Sequence, residues 1–469
     1  MAPQELPKRI PLIVAGAFFM QVLDGAIINT SLPQMAASFG VQALDLSLGV
    51  TIYMLAVAAF IPASGWLADR FGSRNVFAAA ILIFSLASLA CGMADSLPAF
   101  VAARALQGVG GALMTPVGRM VVLRNTSKAG LLQATALITW PALIAPVFGP
   151  ALGGFITTYA SWRWNFLINL PLGVVGLGLV LRYIPNLRDE AHRRFDGRGF
   201  VLAACALVLL LRGLESVGRA GANLVVAALC CAIGSLLGVA ALRHFRRARE
   251  PLLDLSAFAA PTFTLSTLSG GFFYRIAISA TPFLLPLLFQ IGFGLNPWQS
   301  GLMILAYFAG NLGMKTVTTP LLRRFGFRQV LVGNGVLGAL AIAACGLLQA
   351  DTPGWIAAAL LVAAGLTRSM QLTALSTLTF ADTEPRQRSS ASTLSSMVQQ
   401  VSMILGVAVA ALVMKLSQAL HGADAPLLAD FRNAFFVVGL IGLLAALRFL
   451  RLAPDAGAEV SGQVARQAA

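Results

Sequence analysis

One carboxylate in this sequence lies deep inside an apolar run, where a charge needs a partner. Asp24 is about 18 Å from the start of its run at 1.5 Å per residue, and Arg104 is about 9 Å inside another run that enters from the opposite side. A bilayer core is about 30 Å thick, so the two side chains have similar depths. A carboxyl group there can gain a proton when its surroundings are dry and lose it beside a base. We therefore predict that Asp24 and Arg104 couple protons, with a purely structural ion pair as the alternative.

Three further bases lie within apolar runs of the second half of the chain, without an acid in those runs to neutralise them. Arg275 and Arg368 fall near the middle of their runs, and Lys315 is nearer one end. An arginine can bind a carboxylate through two parallel hydrogen bonds. These bases favour an anionic or carboxylate-bearing substrate, such as a citrate-like metabolite or its metal chelate. The alternative is that they bind only backbone carbonyls or structural waters.

Polar and aromatic residues of other runs complete a predicted substrate pocket. Their orientation is not readable from the sequence, and any one of them is more often a packing residue than a ligand. The predicted substrate-binding set consists of Gln21, Asn29, Tyr53, Gln107, Trp140, Tyr274, Arg275, Gln290, Lys315, Arg368, Gln371 and Gln399.

The elements that must position these residues are apolar helices. The chain of 469 residues is 58% hydrophobic and only 11% charged, and its mean hydropathy is +0.82. A soluble domain has about 25% charged residues, so the composition predicts an all-α membrane protein. The runs also lack the two-residue alternation of a β-barrel. The fourteen runs long enough to cross a bilayer are 12–33, 48–68, 76–94, 98–120, 131–157, 164–184, 199–215, 222–244, 264–291, 299–321, 328–349, 354–379, 391–418 and 432–451.

The basic residues have a one-sided distribution. Of the 33 Lys and Arg, four lie within the runs, five lie in loops on one side, and the other 24 lie on the side of the two termini. Basic residues accumulate in cytoplasmic loops, so we predict cytoplasmic termini in a bacterial-type inner membrane. The net charge of +15 is spread over short loops rather than one continuous face, so no nucleic-acid partner is predicted.

A short basic stretch occurs twice. "GWLADRFGSRNV" (65–76) and "TPLLRRFGFRQV" (319–330) agree at six of twelve positions, and each follows the second run of a set of six. This parallel repeat predicts two six-helix bundles with two helices inserted between them. The predicted domains are an N-terminal bundle (1–184), linkers with two inserted helices (185–254), a C-terminal bundle (255–452) and a disordered cytoplasmic tail (453–469).

Four further stretches carry motifs: "LDGAIINTSLP" (23–33), "RALQGVGGALMTP" (104–116), "APVFGPALGG" (145–154) and "SWRWNFLINLPLG" (161–173). With "GWLADRFGSRNV" they resemble the major facilitator superfamily, and specifically its 14-spanner drug:proton antiporter family, over essentially the whole chain. The resemblance implies that family's fold, with fourteen transmembrane helices, and export driven by a proton gradient without a cofactor.

The resemblance also implies two gating elements. The loop after the second run would latch the two halves together in an outward-facing state, with a helix N-terminus or a base as the partner of its acid. The prolines and glycines of the fifth run would bend that helix and let it pack closely enough to prevent leak. The alternative for the loop is that its charges only set the topology. The alternative for the fifth run is that its prolines and glycines only kink the helix in the ordinary way. The residues concerned are Gly65, Asp69, Arg70, Gly72, Arg74, Arg119, Pro146, Gly149, Pro150, Gly153 and Gly154.

These patterns predict a secondary active transporter that exports a small organic solute or drug in exchange for protons. No Walker A sequence, metal-ligand spacing or nucleophile–base pair is present, so neither an ATP-driven pump nor an enzyme is expected. The alternatives are a uniporter or uptake symporter on the same fold, or a non-transporting membrane sensor. The expected partners are protons, a small-molecule substrate and the lipid bilayer; we expect a monomer without metal or cofactor.

Overall fold

A computed structural model describes residues 9–41, 43–126, 130–188, 194–218, 224–295, 297–422 and 426–461. Within these ranges the chain is helical and has no β-strand. Helices are required here, because backbone polar groups in a bilayer core must be hydrogen bonded within the protein. The helices are α1 (Arg9–Phe39), α2 (Ala43–Phe60), α3 (Ser64–Phe71), α4 (Ser73–Met93), α5 (Leu97–Arg124), α6 (Leu131–Tyr159), α7 (Trp164–Leu167), α8 (Asn169–Tyr183), α9 (Gly197–Gly218), α10 (Leu224–Arg247), α11 (Pro261–Thr267), α12 (Gly270–Leu287), α13 (Pro297–Cys345), α14 (Gly354–Leu378), α15 (Arg388–His421), α16 (Leu428–Arg448) and α17 (Ala458–Ser461).

Twelve segments of the described residues are long and apolar enough to cross a membrane. One of them, Gln299–Cys345, has 47 residues, whereas a single crossing needs only about 20. This segment bends at Gly326 and therefore has two arms. Helix α6, with 29 residues, is a further long helix. Counting the second arm and α6 would give the predicted fourteen spans. The all-helical membrane fold is confirmed, while the count of fourteen stays a prediction.

The repeated basic stretch forms the same kind of turn in both halves. Gly72 separates α3 from α4 with φ 91°, and Gly326 bends α13 with φ 75°. A side chain on the residue would strain the backbone at positive φ, which explains why both copies of the stretch place glycine there. We call the side of the membrane on which Gly72 and Gly326 lie the turn side.

The long helices pack in two groups. In the first, α1 packs against α6 and α8, while α5 packs against α2 and α4. In the second, α13 packs against α14 and α16, while α12 packs against α15 and α16. Helices α9 and α10 form a separate hairpin, and α9 leans on α2 and α15. The two groups meet where α15 contacts α3 and α5 and where α6 contacts α13 and α14.

Part of the tail that was predicted to be disordered is folded. Residues 453–461 lie in a turn and the short helix α17, and Val460 is buried in the same apolar cluster as Phe327 and Leu378. The polar composition of the tail concealed this contact, in which Ala456 also packs against the cluster. Residues 462–469 lie outside the described residues.

Candidate functional site

The buried charge of the first group of helices lies in a closed hydrogen-bond network. Arg104 Nη1 donates to Asp24 Oδ2 at 2.7 Å, and the two residues are 1% and 2% exposed. Gln107 Nε2 and Asn169 Nδ2 both donate to Asp24 Oδ1, at 2.8 and 2.9 Å. A buried ion pair is tolerable only when its remaining polar positions are also satisfied. Here both carboxylate oxygens are satisfied.

Further contacts fix the orientation of the donors. Ser88 Oγ accepts from Gln107 at 2.8 Å and from Asn169 at 3.2 Å. Arg104 Nε donates to the carbonyl of Gly49 at 3.3 Å, and its guanidinium lies 4.3 Å from the ring centroid of Tyr53. The site is therefore built by α1, α4, α5 and α8, with α2 supplying a carbonyl and an aromatic ring.

The sequence predicted part of this network and missed the rest. Asp24, Arg104 and Gln107 were in the predicted set, and Arg104 and Gln107 share one face of α5 because they are three residues apart. Ser88 and Asn169 were not predicted. Asn169 lies within the motif "SWRWNFLINLPLG", so a signal was available, whereas Ser88 resembles any other small residue of an apolar helix.

A cavity of about 260 Å³ lies between the two groups of helices, beside this network. Its lining comes from α1, α2, α5, α15 and the short turn after α2, and contains no charged residue. Three predicted pocket residues, Gln21, Tyr53 and Gln399, are part of that lining. The others are Val22, Met54, Val57, Ile61, Gly111, Ala112, Thr115, Pro116, Ser396, Gln400 and Met403.

The wall between the cavity and the ion pair is one side chain thick at Tyr53, which lines the cavity and also lies against Arg104. Gln21 supports this wall. Its Nε2 donates to the carbonyl of Gly111 at 3.2 Å, and its Oε1 accepts from Thr115 Oγ1 at 3.0 Å. Tyr53 and Gln21 therefore lie on the side of the cavity that faces the buried ion pair.

The three bases of the second group differ in their contacts. Arg275 Nη1 donates to the carbonyl of Ser266 at 2.6 Å, and Arg275 is 5% exposed. Lys315 Nζ donates at 2.9 Å to the hydroxyl of Thr139, on α6. The guanidinium of Arg368 lies 5.7 Å from the ring centroid of Tyr307, but its buried Nε and Nη1 have no hydrogen-bond partner. None of the three lines the cavity described above.

The remaining predicted pocket residues of this half lie elsewhere. Tyr274 is buried and donates to the carbonyl of Gly335 at 3.0 Å, while Gln371 donates to the carbonyl of Leu331 at 3.0 Å. Both contacts join neighbouring helices. Gln290 is exposed in the π-helical turn Leu288–Gly292 that follows α12. Their assignment as substrate ligands therefore gains no support from these positions.

Four predicted residues have side chains outside the described residues: Asn29, Trp140, Pro146 and Pro150. Of the predicted glycines of α6, Gly149 packs so closely on α1 that an added Cβ would lie 2.6 Å from Cβ of Ala26. The carbonyl of Gly153 accepts from Asn165 at 3.4 Å, whereas Gly154 has open space beside it. Close packing at Gly149 is consistent with a sealing role for α6, which stays a prediction.

The turn side carries polar contacts between and within the two groups. Asp69 forms an ion pair with Arg124. Arg119, one base that was considered as a partner of Asp69, instead donates to Gln399 Oε1 at 2.7 Å and so joins α5 to α15. A second link is made by Arg388, which donates to the carbonyl of Leu123 at 2.6 Å.

The loop glycines and bases occupy different positions around this contact. Gly65 faces the start of α15, since a Cβ there would lie 2.9 Å from Ser389 Oγ. Gly72 faces Asn186 of the segment after α8. Arg70 is exposed, and Arg74 donates to its neighbour Asn75 at 3.3 Å. Only Gly65 of these four touches the opposite half directly in the contacts described here.

Two contacts made by hydroxyl groups complete the link between the halves. Ser392 of α15 donates to the carbonyl of Pro116 at 2.8 Å, and Ser64 is 3.1 Å from the hydroxyl of Thr393. The halves are thus in contact on the turn side through α3, α5 and α15.

Known proteins resemble this chain in both sequence and fold. The family described as "Major Facilitator Superfamily" matches residues 14–407 and 267–468. Proteins named "Putative multidrug resistance protein MdtD" are 39% identical over 447 residues in Salmonella paratyphi A and 40% identical over 452 residues in Cronobacter sakazakii. In both cases 94% of each chain is covered.

Two solved structures share the fold at low sequence identity. The human organic anion transporter MFSD10 (TETRAN) has a TM-score of 0.68 and 16% identity, with 94% of this chain and 99% of that chain covered. The proton:xylose symporter XylE has a TM-score of 0.66 and 14% identity, with 98% of each chain covered. The chain thus belongs to the Major Facilitator Superfamily and is a multi-pass membrane transporter of small molecules rather than an enzyme.

Proposed function

We propose that this protein exports small organic solutes or drugs in exchange for protons, by alternating access of the cavity between its two groups of helices. The observation that carries the proposal is the buried Asp24–Arg104 pair, which one side chain, Tyr53, separates from that cavity. A carboxylate in this position can exchange its proton only when the surrounding helices move.

The ion pair supplies the coupling. Protonation of Asp24 removes the charge that neutralises Arg104, and an unpaired buried guanidinium is unfavourable. The protonated state therefore favours an arrangement in which water or substrate reaches Arg104. Loss of the proton restores the ion pair and the closed network. Proton binding and the change of access are thus linked through Arg104.

The contacts on the turn side supply the gate. Arg119–Gln399, Arg388 to the carbonyl of Leu123, and the approach of Gly65 to α15 hold the two halves together there. With the termini in the cytoplasm, as the distribution of basic residues predicts, this arrangement is closed towards the cytoplasm. Rocking of one half against the other would break these contacts and open the cavity to the cytoplasm.

The name of the MdtD relatives and the uncharged lining of the cavity support drugs and neutral organic solutes as substrates. A second possibility is a preference for carboxylate-bearing substrates such as citrate-like metabolites. It is supported by Arg368, whose buried Nε and Nη1 lack a partner, and by the name of the organic anion transporter that shares the fold. We further propose that the protein lies in the inner membrane of a Gram-negative bacterium and that it is a monomer.

The test is transport by the full chain in proteoliposomes with an imposed pH gradient. Radiolabelled citrate and the lipophilic cation tetraphenylphosphonium serve as anionic and cationic probes within a panel of solutes. We expect Asp24→Asn to abolish gradient-driven transport of the accepted solute while exchange of that solute without a gradient continues. The matched control is Asp95→Asn, because Asp95 is an acid whose side chain is 89% exposed and pairs only at the surface with Arg163.

The same assay separates the alternatives. A uniporter would ignore the pH gradient, and an uptake symporter would move solute in the same direction as protons. Gradient-driven transport by Asp24→Asn at the rate of the unsubstituted protein would contradict the proposed coupling.

A further inference from the structure

The inserted hairpin leaves one helix almost entirely to the lipid. Of the candidate spans among the described residues, Val225–Arg247 of α10 is the least buried, with 17% of its most apolar stretch inside the protein. The main packing partner of α10 is α9. The cavity, the ion pair and the contacts on the turn side described above contain no residue of α10.

A shallow, open groove runs along one face of the last three turns of α10. Its residues recur at helical spacing and therefore share one face. The face is apolar towards the middle of the membrane and basic where the helix ends. The lining consists of Leu236, Val239, Ala240, Arg243, His244 and Arg247.

The two arginines of the groove are exposed and have no ion-pair partner among the described residues. The neighbouring acids are already engaged. Asp196 accepts from His244 at 2.8 Å and from the backbone N–H of Gly199 at 2.8 Å, while Glu250 accepts from a backbone N–H at 2.7 Å. Burial raises the pKa of Asp196, but these hydrogen-bond donors outweigh burial and hold it below its ordinary value, so Asp196 remains charged and anchors His244.

The geometry points to a binding site for an anionic phospholipid on α10, with the phosphate between Arg243 and Arg247 and an acyl chain along Val239 and Leu236. Basic groups at the membrane surface attract anionic headgroups, and each contributes measurably to binding. Leu236 lies seven residues before Arg243, about 10 Å along the helix, which places it beside the first part of an acyl chain. A soluble anion would use the arginines but not this apolar segment.

The experiment is native mass spectrometry of the full chain in a neutral detergent. The protein is titrated with phosphatidylglycerol or with phosphatidylcholine of the same acyl chains, and the affinity of the first bound lipid is measured. We expect the Arg243→Gln/Arg247→Gln variant to bind phosphatidylglycerol on the order of tenfold more weakly, with phosphatidylcholine binding unchanged. The matched control is Arg246→Gln/Arg249→Gln, which removes the same charge from neighbouring positions outside the groove.

The control should retain its affinity for phosphatidylglycerol within about twofold, since only the groove residues contact the phosphate. An equal loss in both double variants would reduce the site to general charge attraction and overturn the proposal. Competition by soluble glycerol phosphate at the same concentration would also overturn it, because it would show that the acyl chain is not bound. Thermal unfolding of both variants checks that each is folded.

Discussion

The two groups of helices treat their buried charge in opposite ways. In the first group one acid meets one base, and two helices, α5 and α8, supply donors to both oxygens of Asp24. In the second group three bases are present and none forms an ion pair with a carboxylate in the contacts described here. Arg275 donates to a backbone carbonyl, and Lys315 donates to hydroxyl groups. The buried Nε and Nη1 of Arg368 have no hydrogen-bond partner.

The satisfied ion pair of the first group and the unpartnered donors of the second suit different roles. A satisfied ion pair resists change until a proton arrives, so it suits a switch that must stay closed between events. A buried donor without a partner is unfavourable until an acceptor binds, so it suits ligand recognition. We therefore propose that the first group binds the proton and that Arg368 of the second group recognises anionic solutes, and the first two predictions below each test one part of this proposal.

The largest effect is expected from breaking the ion pair. Arg104→Gln leaves the Asp24 carboxylate buried without its counter-charge, and removing one partner of a buried pair costs about 3–5 kcal/mol. The free energy of unfolding in detergent should fall by that amount. The double variant Asp24→Asn/Arg104→Gln removes both charges and should recover most of the loss. If the double variant is as unstable as the single one, the charge balance at this site is not what holds it together.

A smaller effect should separate two arginines of the second group. Arg275→Gln loses a charged hydrogen bond to the carbonyl of Ser266, which costs about 2 kcal/mol, whereas Arg368→Gln loses no hydrogen bond of Nε or Nη1 and should leave stability nearly unchanged. Transport should show the reverse order, with Arg368→Gln reducing transport of carboxylate-bearing solutes. The measurements are thermal unfolding and vesicle transport of one anion and one cation. Unchanged anion transport by both variants would exclude an anionic preference carried by these bases.

The smallest effect concerns the turn that both halves share. Gly72→Ala and Gly326→Ala each place a side chain at positive φ, which costs about 1 kcal/mol, and Gly72→Ala should cost more because its Cβ would meet Asn186. The control is Gly154→Ala in α6, where nothing lies within 4 Å of an added Cβ. Unfolding free energies decide the result: equal stability of Gly72→Ala and the control would mean that the backbone relaxes at the turn.

The sequence was most informative where charge and burial conflict. A single acid in an apolar run identifies Asp24, and depth alone pairs it with Arg104, because few partners exist at that level of the membrane. It was least informative for neutral residues. Ser88 and Asn169 complete the network, yet hydroxyl and amide groups occur in many helices without a special role. The sequence left the partner of Asp69 open between a helix N-terminus and a base such as Arg119, because several bases lie on the turn side; the structure pairs Asp69 with Arg124 and Arg119 with Gln399.

The pattern of residues along the chain is enough to establish that the protein is helical, crosses the membrane many times and repeats a glycine turn, because the cost of burying backbone groups and charges in lipid acts on each segment separately. Which side chains share a site follows from the packing of the helices. Arg275 faces a carbonyl and Arg368 does not, although both lie near mid-membrane, because helix rotation and the break between α11 and α12 set what each guanidinium meets. Packing between helices fixes the rotation of each helix, so the sequence of one helix alone does not reveal it.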